Sequence, residues 1–222
     1  MIIFMPTGKM PLTPLVDRER RVLLTSLPNL LTLSRILVIP LVIATFYVHG
    51  DYARWFGCAL FSAACVTDWL DGHMARRWQQ QSEIGRFLDP IADKLLVAAT
   101  LFMLTTFGRL SSAAVFPALV ILCREILVSG LREYLAGLRV GMPVSRLAKW
   151  KTTIQMVAIG FLIIGAAGPA VVPVTGIGEC LLWIAAVLTL VTGYDYLRLG
   201  LPHITRAPRA AAIRSGKSET PA

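Results

Sequence analysis

Charge is scarce in this chain: 16% of its 222 residues are charged, against 55% that are apolar. Soluble domains usually carry about a quarter charged residues, so a soluble or disordered chain is excluded. The four cysteines, Cys58, Cys65, Cys123 and Cys180, form no CxxC or Cys/His spacing and lie in apolar stretches. A zinc site and a disulfide framework are therefore unsupported. No internal repeat is visible, no second domain is marked, and the first 27 residues show no signal-peptidase pattern.

What remains is long apolar runs, with a mean hydropathy of +0.65. Six runs, at 30–48, 53–78, 86–107, 112–137, 150–168 and 178–197, are long enough to cross a bilayer as helices, separated by short polar or Gly/Pro-containing pieces. The expected fold is all-α, a polytopic membrane bundle of six transmembrane helices. Six crossings put both termini on one side. Of the 22 basic residues, only Arg54 and Arg109 then fall near the opposite face. Lysine and arginine are retained inside during insertion, which makes the side with the termini cytoplasmic. The net charge of +9 thus follows the membrane and does not indicate nucleic acid. Residues 1–26 read as a basic cytoplasmic arm, with an amphipathic surface helix as the alternative. Residues 27–200 read as the membrane domain, and 201–222 as a basic, disordered tail near anionic lipid.

Within this apolar chain, aspartates recur at helical spacing. Asp68 and Asp71 stand three apart, and Asp89 and Asp93 four apart, so each pair lines one face of its helix. The turn between the two helices centres near Gln80 and Gln81. At about 1.5 Å per residue, an antiparallel hairpin brings all four carboxylates to similar depth, roughly 13–19 Å from the turn. Four bare anions there would repel one another and lose hydration. A divalent cation removes that cost, and oxygen-only ligands suit Mg2+, Mn2+ or Ca2+. Two facing pairs also allow two ions a few ångströms apart, an arrangement that clamps a pyrophosphate. Gly72 and Gly85 let a ligand or the partner helix approach the backbone, and Arg76, one turn beyond Gly72, is suited to a phosphate.

Taken together, the run Asp68-x-x-Asp71-Gly72-x-x-Ala75-Arg76, eight residues, then Gly85-x-x-x-Asp89-x-x-x-Asp93 resembles the signature of the CDP-alcohol phosphatidyltransferases, with every fixed position present. Three more stretches, 27–35, 124–132 and 149–155, resemble the members that make phosphatidylglycerophosphate. The resemblance spans roughly 27–199. It implies a six-helix, homodimeric membrane enzyme that moves a phosphatidyl group from CDP-diacylglycerol to sn-glycerol 3-phosphate and releases CMP. By the same resemblance Asp68, Asp71, Asp89 and Asp93 hold two divalent cations, Mg2+ or Mn2+. Asp93 is the general base, and Gly72, Ala75, Arg76 and Gly85 surround the cytidine diphosphate. The implied location is a bacterial inner membrane, with the active site facing the cytoplasm and membrane lipids as surroundings.

Asn29 and Arg35 on the first helix are candidates for reaching the nucleotide; a helix cap and a snorkelling cation are the alternatives. The acceptor is itself an anion and needs cations apart from the metals. Arg124 and Arg132 lie on one side of the fourth span, and Arg146, Lys149 and Lys151 follow in the next connection. Arg124 stands inside an apolar span, where a bare charge costs several kcal/mol; a structural ion pair with Glu125 or Glu133, or snorkelling to the interface, is its other reading. Two competing functions remain at this stage. One is the same chemistry with phosphatidylglycerol, serine or an inositol phosphate as acceptor. The other is an ion-coupled transporter, against which the uncharged run 95–107 counts.

Overall fold

The computed structural model describes residues 27–78, 83–137 and 146–216, with side chains described for 33–68, 88, 90–137 and 147–200. The arm 1–26 lies outside the described residues. The described chain is helical throughout: α1 Leu27–Tyr47, α2 Asp51–Trp78, α3 Glu83–Thr106, α4 Ser112–Gly137, α5 Arg146–Ile164 with a 3-10 turn Gly165–Ala167, and α6 Val174–Gly216. Among the described residues there is no strand. Three stretches, Ser112–Gly137, Leu147–Ala167 and Val174–Gly200, are long and apolar enough to cross a membrane, and α1 adds a shorter apolar piece, Leu33–Tyr47.

Helix ends fall where the backbone chemistry stops them. Gly108 closes α3 at φ +60°, with its N–H bonded to the Thr105 carbonyl and the Arg109 N–H to that of Leu104. This is the left-handed glycine cap that satisfies the last carbonyls of a helix. Ser111 caps α4, its hydroxyl accepting from the Ala114 N–H at 3.2 Å. Glu179 of α6 in turn accepts from the Ser111 N–H at 2.7 Å and hydroxyl at 3.0 Å, placing a carboxylate at the α4 N-terminus. At the same end Arg54 and Arg109, the two basic residues expected opposite the others, have a visible task. Arg109 donates to the Ile163 carbonyl at 3.1 Å and Arg54 to that of Ile164 at 3.4 Å. Both thus satisfy carbonyls at the C-terminal end of α5. Burial and the neighbouring Arg54 push the Arg109 guanidinium down to about 10, so it stays charged at neutral pH.

The last helix continues to Gly216, past the apolar run, so most of the stretch expected to be a disordered tail is helical. An alanine-rich segment, with Ala210, Ala211 and Ala212, carries little intrinsic penalty against helix.

The helices pack in pairs, α1 on α2 and α3, α2 on α5, α3 on α4, and α6 on both α4 and α5. Their apolar core is gathered towards one end. It takes Val42 and Phe46 late in α1, Phe61 and Ala64 from α2, Leu101 and Leu104 late in α3, Ile121 of α4, Leu162 and Ile163 late in α5, and Leu182 and Ala185 early in α6. Because successive helices run in opposite directions, the remaining halves share the other end. There the buried polar side chains Arg35, Lys151, Gln155 and Thr192 are found.

Candidate active site

Asp68, Asp71, Gly72, Ala75 and Arg76 all fall on α2, and Gly85, Asp89 and Asp93 on α3. Both helices are continuous through the signature. The side chains of Asn29, Asp71, Arg76, Asp89 and Arg146 lie outside those described, as do Gly72, Ala75 and Gly85. Asp68 and Asp93, the outermost pair, are described and share one electrostatic neighbourhood. Asp93 lies within the fields of Asp68, Glu125, Lys94 and Arg35. Among the described residues no group of three or more His, Cys, Asp or Glu is gathered. The two described carboxylates, Asp68 and Asp93, offer anionic oxygen donors, which fit a hard divalent cation.

Arg35 of α1, a candidate nucleotide contact, is 2% exposed and holds Asp68 with its guanidinium 2.8 Å from Oδ1. One oxygen of the signature's first carboxylate is thereby fixed from a third helix. Neither a snorkelling cation nor a cap describes this residue.

The candidate acceptor cations separate into different surroundings. Lys151 is 1% exposed and gives its ammonium to Glu125 of α4, so it is no surface charge. Lys149 is exposed two residues earlier. Arg124 points to α6, where Nη2 donates to the Thr192 hydroxyl at 3.0 Å; Nη1 stands 3.8 Å from Glu125. Arg132, two turns on, donates to the Tyr196 hydroxyl at 3.2 Å. The Tyr196 ring sits beneath both guanidiniums, 5.7 Å from Arg124 and 5.4 Å from Arg132, close enough for cation–π attraction to each. Two like charges are thus held against one aromatic ring.

Gly193 makes room for this arrangement. A Cβ there would stand 3.1 Å from Cγ and 3.3 Å from Nε of Arg124. That Nε is buried and has no hydrogen-bond partner among the described residues.

Sequence reasoning missed Thr192, Gly193 and Tyr196, although Gly193 and Tyr196 interrupt an apolar run. Gln155 was noticed only as part of a stretch. It is 2% exposed, and its Oε1 has no hydrogen-bond partner among the described residues.

Against known proteins, a family model described as CDP-alcohol phosphatidyltransferase matches residues 25–191. A protein of Rickettsia felis named CDP-diacylglycerol--glycerol-3-phosphate 3-phosphatidyltransferase is 47% identical over 173 residues, 78% of this chain and 94% of the relative. Relatives with the same name occur in Cereibacter sphaeroides, 40% identical over 215 residues (81% of this chain, 97% of the relative), and in Shigella flexneri serotype 5b, 40% identical over 174 residues (78% and 93%). All of these similarities take in the two aspartate-bearing helices.

Proposed function

The chain belongs to the CDP-alcohol phosphatidyltransferase family, and from that premise we infer that it transfers the phosphatidyl group of CDP-diacylglycerol to sn-glycerol 3-phosphate, giving phosphatidylglycerophosphate and CMP. What supports this reading is that the stretch holding the signature aspartates is shared with relatives named for that reaction, and that Asp93 lies within the electrostatic field of Asp68.

In the proposed reaction a hydroxyl oxygen of glycerol 3-phosphate bonds to the lipid-side phosphorus, the bridging oxygen leaves with CMP, and the hydroxyl proton passes to the Asp93 carboxylate. Direct displacement is favoured because no Ser/His or Cys/His nucleophile pair accompanies the signature. Asp68, Asp71, Asp89 and Asp93 are the residues that would hold divalent cations, two of Mg2+ or Mn2+. Such ions supply neutralisation of the pyrophosphate charge as it moves onto CMP. Arg35 keeps Asp68 in place, and Gly72, Ala75, Arg76, Gly85 and Asn29 are assigned to the cytidine diphosphate. The acceptor's phosphate is assigned to Arg124 and Arg132, with Lys149 and Arg146 as further candidates. Lys151 supports this pocket through Glu125.

The donor needs lipid for its acyl chains and water for its nucleotide, so a site at the polar end of an apolar bundle suits both. The proposal extends to six spans with both termini in the cytoplasm of a bacterium, an inner-membrane location, a membrane domain over 27–200 and a homodimeric assembly. An acceptor panel with radiolabelled CDP-diacylglycerol tests the function. Transfer to glycerol 3-phosphate is expected; transfer to serine, phosphatidylglycerol or an inositol phosphate in its place would overturn the choice.

A further inference from the structure

A cavity of about 330 Å3 opens between α3, α4 and α5, bordered by Asp93, Glu125, Ser129, Thr152 and Gln155. Its polar wall is rich in acceptor oxygens, and the nearby cations are already engaged. Lys94 gives its ammonium to the Pro90 carbonyl at 3.0 Å, and Lys151 gives its own to Glu125. The Gln155 carboxamide stands apart from these pairs. It is 2% exposed, it lines the cavity, and its Oε1 has no hydrogen-bond partner among the described residues. A buried acceptor left unpaired is costly, and it becomes worthwhile where a bound donor completes it.

The reaction proposed above brings few donors to this place. Phosphate and pyrophosphate oxygens are acceptors and would repel an amide oxygen. The hydroxyl that attacks loses its proton towards Asp93. The second hydroxyl of the glycerol backbone keeps its proton throughout, and Asp93 borders the same cavity. We propose that Gln155 is a specificity-determining residue whose Oε1 accepts a hydrogen bond from the hydroxyl of the acceptor that does not attack. This deepens the functional reading and rests on it. The carboxamide then selects a vicinal diol phosphate over a phosphorylated alcohol with a single hydroxyl, because the latter leaves the buried oxygen unpaired.

The test compares two acceptors, glycerol 3-phosphate and 3-hydroxypropyl phosphate, which lacks only the middle hydroxyl, using the full chain in mixed micelles with CDP-diacylglycerol. The unmodified protein is expected to prefer glycerol 3-phosphate by about 10- to 100-fold in kcat/KM. In Gln155→Leu the two acceptors should fall within about twofold of each other, while the KM for CDP-diacylglycerol stays unchanged. A residue that only supported the fold would lower both acceptors together and keep their ratio, so an unchanged ratio in the variant overturns the proposal. Equal use of both acceptors by the unmodified protein overturns it as well. If Gln155→Leu does not fold, Gln155→Met, closer in length and equally without an acceptor oxygen, carries the same comparison. Failure of the functional reading has a different signature: the unmodified protein turns over neither acceptor.

Discussion

The Arg35 guanidinium, its side chain 1% exposed, is held 2.8 Å from the carboxylate of Asp68, which is 45% exposed. The cation is sealed inside the bundle while its partner still reaches the polar end, an asymmetry suited to aiming one carboxylate oxygen. Groups that orient a ligating side chain typically matter about 10- to 100-fold in metal affinity or activity. Arg35→Ala is therefore expected to lower kcat/KM by about 10- to 100-fold and to raise the divalent-cation concentration needed for half-maximal rate. Activity and cation dependence like those of the unmodified protein would show that Asp68 needs no such support.

A second pair, Lys151 with Glu125, ties α5 to α4 beneath the acceptor cations. Removing one member of a buried ion pair strands the other, at about 3–5 kcal/mol, whereas replacing both with apolar residues is often nearly neutral. Thermal unfolding in detergent should thus rank Lys151→Met well below Lys151→Met/Glu125→Leu. A double variant less stable than the single one would contradict this.

Gly193 leaves no slack beside Arg124, whose Cγ a Cβ would approach to 3.1 Å. Gly193→Val should push the guanidinium off Thr192 and Tyr196 and raise the KM for glycerol 3-phosphate about tenfold, the scale of losing one charged hydrogen bond. The KM for CDP-diacylglycerol should stay the same. Steady-state kinetics varying each substrate separate the two, and an unchanged acceptor KM would remove Arg124 from the acceptor pocket.

These three predictions concern contacts that the sequence does not display, and the reason is physical. The helices and the signature are legible because apolar length and i, i+3, i+4 spacing belong to one segment at a time. The asymmetry of basic residues likewise needs no knowledge of packing. How each helix is rotated against its neighbours is a different matter. Helices apolar on most sides carry no stripe that fixes rotation, and their association rests on close packing and polar contacts between distant segments. Arg35 meets Asp68, Lys151 meets Glu125, and Arg132 meets Tyr196 across such interfaces. Arg124 was recognised as out of place in an apolar run, but its partner Thr192 lies 68 residues away. The helical course of α6 beyond 200 was missed because Pro202 and Pro208 and the basic composition read as a tail.

The central claim, that Asp93 receives the proton as the phosphatidyl group moves to glycerol 3-phosphate, is tested most directly by one assay. Purified protein and Asp93→Asn are compared in mixed micelles with CDP-diacylglycerol, a divalent cation and glycerol 3-phosphate, following CMP and lipid product together. The unmodified protein is expected to yield CMP and phosphatidylglycerophosphate in equal amounts. Asp93→Asn should lose about three orders of magnitude or more in kcat, within the range that general-base catalysis supplies, while remaining folded in the membrane. Near-normal turnover by Asp93→Asn, or CMP release that needs no acceptor, would contradict the account.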